Sequence, residues 1–251
     1  ANSVNTVSAR LMDLVGPLPV INLARKMGIS SYLPAVPSIA LGTPDISLFE
    51  MVGAYSTFVN QGIYVKPIMI TRIEDKNGRA LYEVMAETQD VLSEEAAYVT
   101  VNLMQGVTTE GSGARLRHAG LEKTNYIYEK VITGYPYIFE NSIAGKTGTT
   151  QNQSDGWFMG MVPNLSTGVW VGGEDRAIHF ETIGYGQGAT MALPIWGNYM
   201  RTLYENPEFG ISQEDFIAPE NLSISVDCEE LADLESKEKP KLKTDLEALG
   251  F

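Results

Sequence analysis

Residues Ala144 to Gly173 constrain this chain more than any other stretch. Ala144-Gly145-Lys146-Thr147-Gly148-Thr149-Thr150 reads as a strand, and Asp155-Gly156-Trp157-Phe158-Met159-Gly160 follows after a short polar turn. Thr167-Gly168-Val169-Trp170-Val171-Gly172-Gly173 reads as a third strand, with Pro163-Asn164 as the turn before it. Aromatic and β-branched residues fit a pleated, half-buried surface. Gly145-Lys146-Thr147 also ends like a phosphate-binding loop, but that motif needs a glycine five positions earlier, and position 140 is Glu140. No helical pattern follows Thr147, so the phosphate-loop reading is set aside.

Lys-Thr-Gly on an edge strand suits acyl transfer. An ammonium beside a nucleophile tunes proton transfer, and a threonine hydroxyl can bind a carboxylate. A glycine lets a substrate backbone come close, and a peptide can lie along the edge as an added strand. The backbone N–H of Thr149 is a candidate oxyanion-hole donor.

On these residues the chain resembles the transpeptidase domain of class A penicillin-binding proteins, the bifunctional peptidoglycan synthases. In that superfamily Lys-Thr-Gly accompanies Ser-x-x-Lys and a Ser-x-Asn-type element. The resemblance is close over Ala144 to Asp175 and looser from Ala1 to about Tyr204. It implies an α/β fold of the α+β type: an antiparallel sheet flanked by helices, as in serine β-lactamases. Its implied site residues are Ser3 and Asn5 of Ser3-Val4-Asn5, then Lys146, Thr147, Gly148 and Thr149. The resemblance implies that Ser3 relays protons, Asn5 holds substrate, Lys146 assists electrostatically, Thr147 binds the terminal or β-lactam carboxylate, and Thr149 gives the oxyanion-hole N–H. The competing reading of Ser3 is a helix N-cap, a role that Asn2 or Ser3 would fill well. The implied partners are peptidoglycan stem peptides, and β-lactams in the complete domain. No metal or organic cofactor is implied.

The same resemblance places a nucleophilic Ser-x-x-Lys upstream of Ser3, where only two residues stand. The one match in the chain, Ser236-Lys237-Glu238-Lys239, lies in a charged stretch before Pro240 with no apolar face to desolvate its lysine. The chain is therefore expected to be the C-terminal part of a transpeptidase domain, incomplete on its N-terminal side and inactive alone. The parent is expected to carry a glycosyltransferase domain and a membrane anchor, on the outer face of the bacterial cytoplasmic membrane. Two alternatives stay open: a serine β-lactamase or D,D-carboxypeptidase, and a non-catalytic penicillin-fold module that binds peptidoglycan or a protein. A Ser-x-x-Lys in the parent distinguishes the enzymes from the binding module.

The remaining sequence is consistent with this. A net charge of −13 argues against nucleic acid and acidic membrane surfaces as partners. Residues 212–251 hold 11 acidic and 4 basic residues, so −7 of that charge sits there. Two domains are expected: a transpeptidase part over 1–205 and an acidic, largely irregular tail over 206–251, with a short helix at Leu242 to Leu249. The single Cys228 excludes an internal disulfide, and His118 and His179 lack ligand-like neighbours.

Helical periodicity predicts a first helix over Ala1 to Val15, with Val4, Val7, Leu11, Leu14 and Val15 as its stripe. A second covers Pro17 to Met27. Ser47-Leu48-Phe49-Glu50 is a capping box for a third, with Leu48, Met51, Val52, Tyr55, Phe58 and Val59 as its buried face. A hairpin is expected from Pro67 to Val84 around Asn77-Gly78, and Ser93 caps a helix to about Gln105. Gly111-Ser112-Gly113-Ala114 resembles a Gly-Thr-Gly-like element common in the family, and is read only as a turn toward the Lys146 strand. Leu121 to Asn141 is read as an aromatic insertion that gates the cleft or anchors a surface loop. A last helix is predicted over Met191 to Tyr204, with Leu193, Trp196, Tyr199, Met200 and Leu203 on one face.

Overall fold

The computed structural model describes residues 2–117 and 137–226. The expected helix at Leu242 to Leu249, Cys228, His118, the Ser236-Lys239 match and most of the Leu121 to Asn141 insertion lie outside the described residues. Residues up to Ile217 form one compact unit, and a second unit begins at Ala218.

Among the described residues four α-helices precede the main sheet: α1 (Asn5–Val15), α2 (Pro17–Lys26), α3 (Leu48–Val59) and α4 (Glu94–Thr109). Gly28 ends the second helical segment at φ 87°, a left-handed conformation where glycine carries no Cβ penalty. The capping box on α3 forms in full. Glu50 N–H donates to Ser47 Oγ at 3.2 Å, and Ser47 N–H donates to Glu50 Oε2 at 3.1 Å. Ser93 caps α4 by accepting from Ala96 N–H at 3.2 Å, and that helix runs on to Thr109 rather than stopping near Gln105.

Between α3 and α4 the chain makes two small antiparallel pairs. β1 (Ile63–Val65) pairs with β4 (Thr88–Asp90), and β2 (Arg72–Glu74) pairs with β3 (Ala80–Glu83). The expected hairpin is present but shorter, because Pro67 to Thr71 stays outside the strands. Asp75 Oδ1 accepts from Asn77 N–H at 2.8 Å and Arg79 N–H at 3.0 Å, which closes the turn. The β1–β4 pair has no signature in the sequence, since each strand is three residues long.

The main sheet is a meander of β5 (Ala144–Thr149), β6 (Asp155–Val162) and β7 (Leu165–Gly172), in that order. Val162 pairs with Leu165, so Pro163-Asn164 is a two-residue turn. Alternation along β6 sorts side chains to two faces. Phe158 meets Trp196 of α6 (Gly188–Glu205), with ring centroids 5.2 Å apart. A Cβ at Gly160 would fall 2.3 Å from the same indole. On the opposite face Met161 packs with Val101 of α4 and Ala144. The sheet is thus sandwiched between α6 and the α3–α4 pair.

Three expectations about burial change. The apolar stripe of α1 faces outward: Val4, Val7, Leu11, Leu14 and Val15 are exposed, and Met12 is the helix's one buried residue. On α3 the buried positions are the small Gly53, Ala54 and Thr57, while the large predicted residues keep some exposure. Small side chains let neighbouring elements approach, so the larger ones flank the contact. The last helix starts at Gly188, before the predicted Met191; Leu193, Trp196 and Met200 are buried, but Tyr199 is exposed. Just before it sits a single turn, α5 (Ile183–Gly186).

Tyr137 and Phe139, at the end of the aromatic stretch, belong to the core under α6, and the Tyr137 hydroxyl donates to Pro194 O at 2.7 Å. Residues 207–217 hold one 3-10 turn, Pro207–Phe209. The Asn164 side chain bonds Gly210 O at 2.8 Å and Ser212 N–H at 2.9 Å, and the Ser142 hydroxyl donates to Asp215.

Candidate active site

β5 is an edge strand among the described residues: β6 lies on one side and no strand on the other. Thr150 N–H donates to Asp155 O at 3.2 Å. In an antiparallel ladder, bonded and non-bonded pairs alternate. The Thr149–Gly156 and Thr147–Phe158 pairs are then non-bonded, so the backbone groups of Thr149 and Thr147 point to the open edge. The Thr147 carbonyl accepts there from Lys146 Nζ at 2.5 Å. The Thr149 N–H faces the same edge.

Lys146 also donates to Ser3 Oγ at 2.5 Å, joining the start of the chain to the strand. Burial lowers the lysine pKa below its ordinary value. Ser3 is free for this contact because it does not cap α1. The N-cap is Val4, in extended conformation, and no side chain caps that helix. Ser3 itself has φ 50°, unusual for a residue with a Cβ, and such strained positions concentrate at functional sites. The capping interpretation of Ser3 therefore gives way. Asn5 opens α1 with an exposed side chain, and among the described residues its amide makes no hydrogen bond.

Thr147 is 9% exposed, and its Oγ1 lies 2.5 Å from Ser112 Oγ, in the turn read from sequence as carrying no chemistry. Thr149 commits its side chain to the fold: Oγ1 accepts from Gly188 N–H at 3.0 Å. Gly188 sits on the strands so closely that a Cβ there would fall 2.2 Å from Gly148 O and 2.4 Å from Trp157 O. Gly148 needs its own small size less sharply, with a Cβ placed 3.0 Å from Trp157 Cβ. Lys146, Thr147, Thr149 and Ser3 thus meet at or beside one strand edge, and Asn5 joins them through the chain only. The sequence assigns no chemistry to Ser112 or Gly188. The sequence clue to Ser112 is its place between Gly111 and Gly113, in an element the family resemblance also offers, and Gly188 is marked only as the end of a glycine-bearing turn before the last helix. Among the described residues no three His, Cys, Asp or Glu side chains gather as a metal site.

The sandwich and its edge strand are those of penicillin-binding transpeptidase domains. Penicillin-binding protein 1A from Haemophilus influenzae superposes with TM-score 0.68 at 21% identity, over 87% of this chain and 34% of that one. PonA1 from Mycobacterium tuberculosis in complex with penicillin V gives TM-score 0.62 at 24% identity, over 85% of this chain and 56% of that one. The family model for the penicillin binding protein transpeptidase domain matches residues 1–174, and the chain belongs to that family. Penicillin-binding protein 1A of Aquifex aeolicus is 32% identical over 235 residues, 92% of this chain and 28% of the relative. Penicillin-binding protein 2D of Bacillus subtilis is 31% identical over 208 residues, 80% of this chain and 26% of the relative. The chain spans about a quarter of the length of these curated relatives.

Proposed function

We propose that this chain supplies one wall of a D,D-transpeptidase site that cross-links peptidoglycan stem peptides and is acylated by β-lactams. The observation that carries the reading is the Lys146–Ser3 hydrogen bond beside the open edge of β5. A serine from a Ser-x-x-Lys segment attacks the D-Ala-D-Ala carbonyl, and the terminal D-Ala leaves. An amine on a second stem peptide then takes the acyl group. Ser3 passes the proton between nucleophile and leaving amine, and the Lys146 ammonium holds the Ser3 hydroxyl and stabilises negative charge near it. Asn5 holds the donor peptide backbone. Thr147 binds the free carboxylate, Gly148 lets the peptide lie close, and Thr149 N–H serves the developing oxyanion.

The acyl-enzyme forms on the serine of a Ser-x-x-Lys segment, so β-lactam acylation is expected of the longer protein that joins such a segment to this chain. The protein that carries it is a class A synthase with a glycosyltransferase domain, anchored on the outer face of the cytoplasmic membrane. Intact mass after incubation with penicillin V tests this. A chain extended upstream through a Ser-x-x-Lys segment gains one acyl adduct, and mutation of the restored serine removes it. A folded extended chain that gains no mass refutes the acyl-transfer reading.

A further inference from the structure

Ser112 sits between two glycines in the turn after α4, 35 residues before Thr147, yet their hydroxyl oxygens are 2.5 Å apart. The turn is held from several sides. Gly113 N–H donates to Val107 O at 2.8 Å, and Ala114 N–H to Gly111 O at 3.1 Å. The Arg115 guanidinium reaches across to α6, donating to Ala189 O at 3.0 Å and Thr190 Oγ1 at 3.1 Å. Leu116 is fully buried. Upstream, Thr108 Oγ1 donates to Ile143 O at 2.6 Å, clamping the end of α4 to the residue before β5. The Ser112 hydroxyl is therefore presented to Thr147 by a fixed frame.

Each hydroxyl has one proton and two lone pairs. A carboxylate accepts only, so a Thr147 hydroxyl that binds one must point its proton at it. That proton is available only if Ser112 donates to Thr147 rather than accepting from it. Hydroxyl groups bonded in series polarise one another, which strengthens the terminal bond. We propose that Ser112 is a positioning residue for carboxylate recognition: it donates to Thr147 Oγ1, and so turns and strengthens the Thr147 donor toward the substrate or β-lactam carboxylate. This rests on the transpeptidase reading above.

The test uses the longer protein that carries this chain with its Ser-x-x-Lys segment. Acylation rates are measured by intact mass with penicillin V and with its methyl ester, which keeps the ring but lacks the anion. Ser112→Ala is expected to slow acylation by the acid about tenfold and leave the ester rate unchanged. Ser112→Thr is expected to restore the acid rate. Thr147→Ala is expected to lose at least as much, and adding Ser112→Ala to it is expected to cost nothing further, because Ser112 acts through Thr147. Equal slowing of acid and ester by Ser112→Ala, or slowing of neither, overturns the inference while leaving the transpeptidase reading intact. No acylation of the wild-type protein by either compound overturns that reading, and the inference with it.

Discussion

Lys146 Nζ and Ser3 Oγ stand 2.5 Å apart although 143 positions separate them in the chain. The bond ties Ser3, two residues before α1, to the edge of the main sheet. In the upstream-extended protein, Lys146→Met keeps the aliphatic stem and removes the ammonium. Acylation by penicillin V is expected to fall by about 10²- to 10⁴-fold, the range for a lost proton-transfer partner. Stopped-flow or mass-resolved acylation kinetics measure it.

The same lysine has a signature in stability. Burial lowers its folded-state pKa below the ordinary 10.5, so the unfolded chain holds the proton more tightly. The cost of burying the charge is complete below the folded pKa and is relieved as pH rises from there toward 10.5. Wild-type stability is expected to rise relative to Lys146→Met across that window. Urea midpoints of the two proteins at neutral and alkaline pH report the difference.

Tyr55 works in the opposite direction. Burial raises its phenol from 10.0 to about 12, so the folded state keeps the proton that the unfolded chain releases. Its stabilising contribution is complete below pH 10 and disappears as pH rises through about 12. Tyr55→Phe is expected to flatten the alkaline fall in melting temperature by an amount equivalent to about 2–3 kcal/mol. Thermal melts over that pH range decide it.

Glu50 gathers the backbone N–H and hydroxyl groups of Ser30, Ser31 and Ser47, with distances from 2.6 to 3.1 Å. These donors, led by the Ser30 hydroxyl, hold its carboxyl well below the usual carboxylate range. The stabilisation is present above the ordinary pKa of 4.5 and is lost as pH falls toward the folded value. Glu50→Ala is expected to cost about 1–3 kcal/mol at neutral pH. The gap from wild type should narrow in acid, as denaturant titrations at the two pH values will show.

Gly188 offers a test of how the fold holds the strand. A methyl group there collides with the carbonyls of Gly148 and Trp157, which are backbone atoms with little room to move. Gly188→Ala is expected to destabilise by about 1–3 kcal/mol and to displace the Thr149 end of β5. Acylation in the extended protein should fall further than the loss of folded protein explains. A full rate per folded molecule would show that the strand end tolerates the shift.

The meander was readable because its signals are local: alternation, the Pro163-Asn164 turn, and composition all lie within thirty residues. The Ser47–Glu50 capping box was legible for the same reason, since both partners share one helical turn. Ser112 was not, because its partner is on another element and hydrophobic periodicity has no term for a lone hydroxyl. The α1 stripe misled in a different way. Val7, Leu11 and Leu14 recur as a buried face would, and periodicity reports a helix correctly without saying what covers it. Ser3 needed both levels: the tripeptide alone matched a cap, and only the φ of 50° with the Lys146 bond separated the two. Tyr199 shows the limit of a helical wheel, because α6 crosses the sheet along Leu193, Trp196 and Met200 and leaves the flank open.

The meander also bears on the order in which the molecule acquires its shape. β5 and β6 are joined by residues 150–154 and β6 and β7 by a two-residue turn, so their pairing closes only short loops and can form early. The contact between Ser3 and Lys146 spans 143 positions, and among the described residues it is the one side-chain hydrogen bond made by the residues before α1. Loop-closure entropy therefore favours its formation after the sheet is in place, and makes it an early contact to open when the molecule loosens. A chemical probe of the Lys146 amine would register this end of the molecule coming loose while the tryptophans of the sheet still reported a native core.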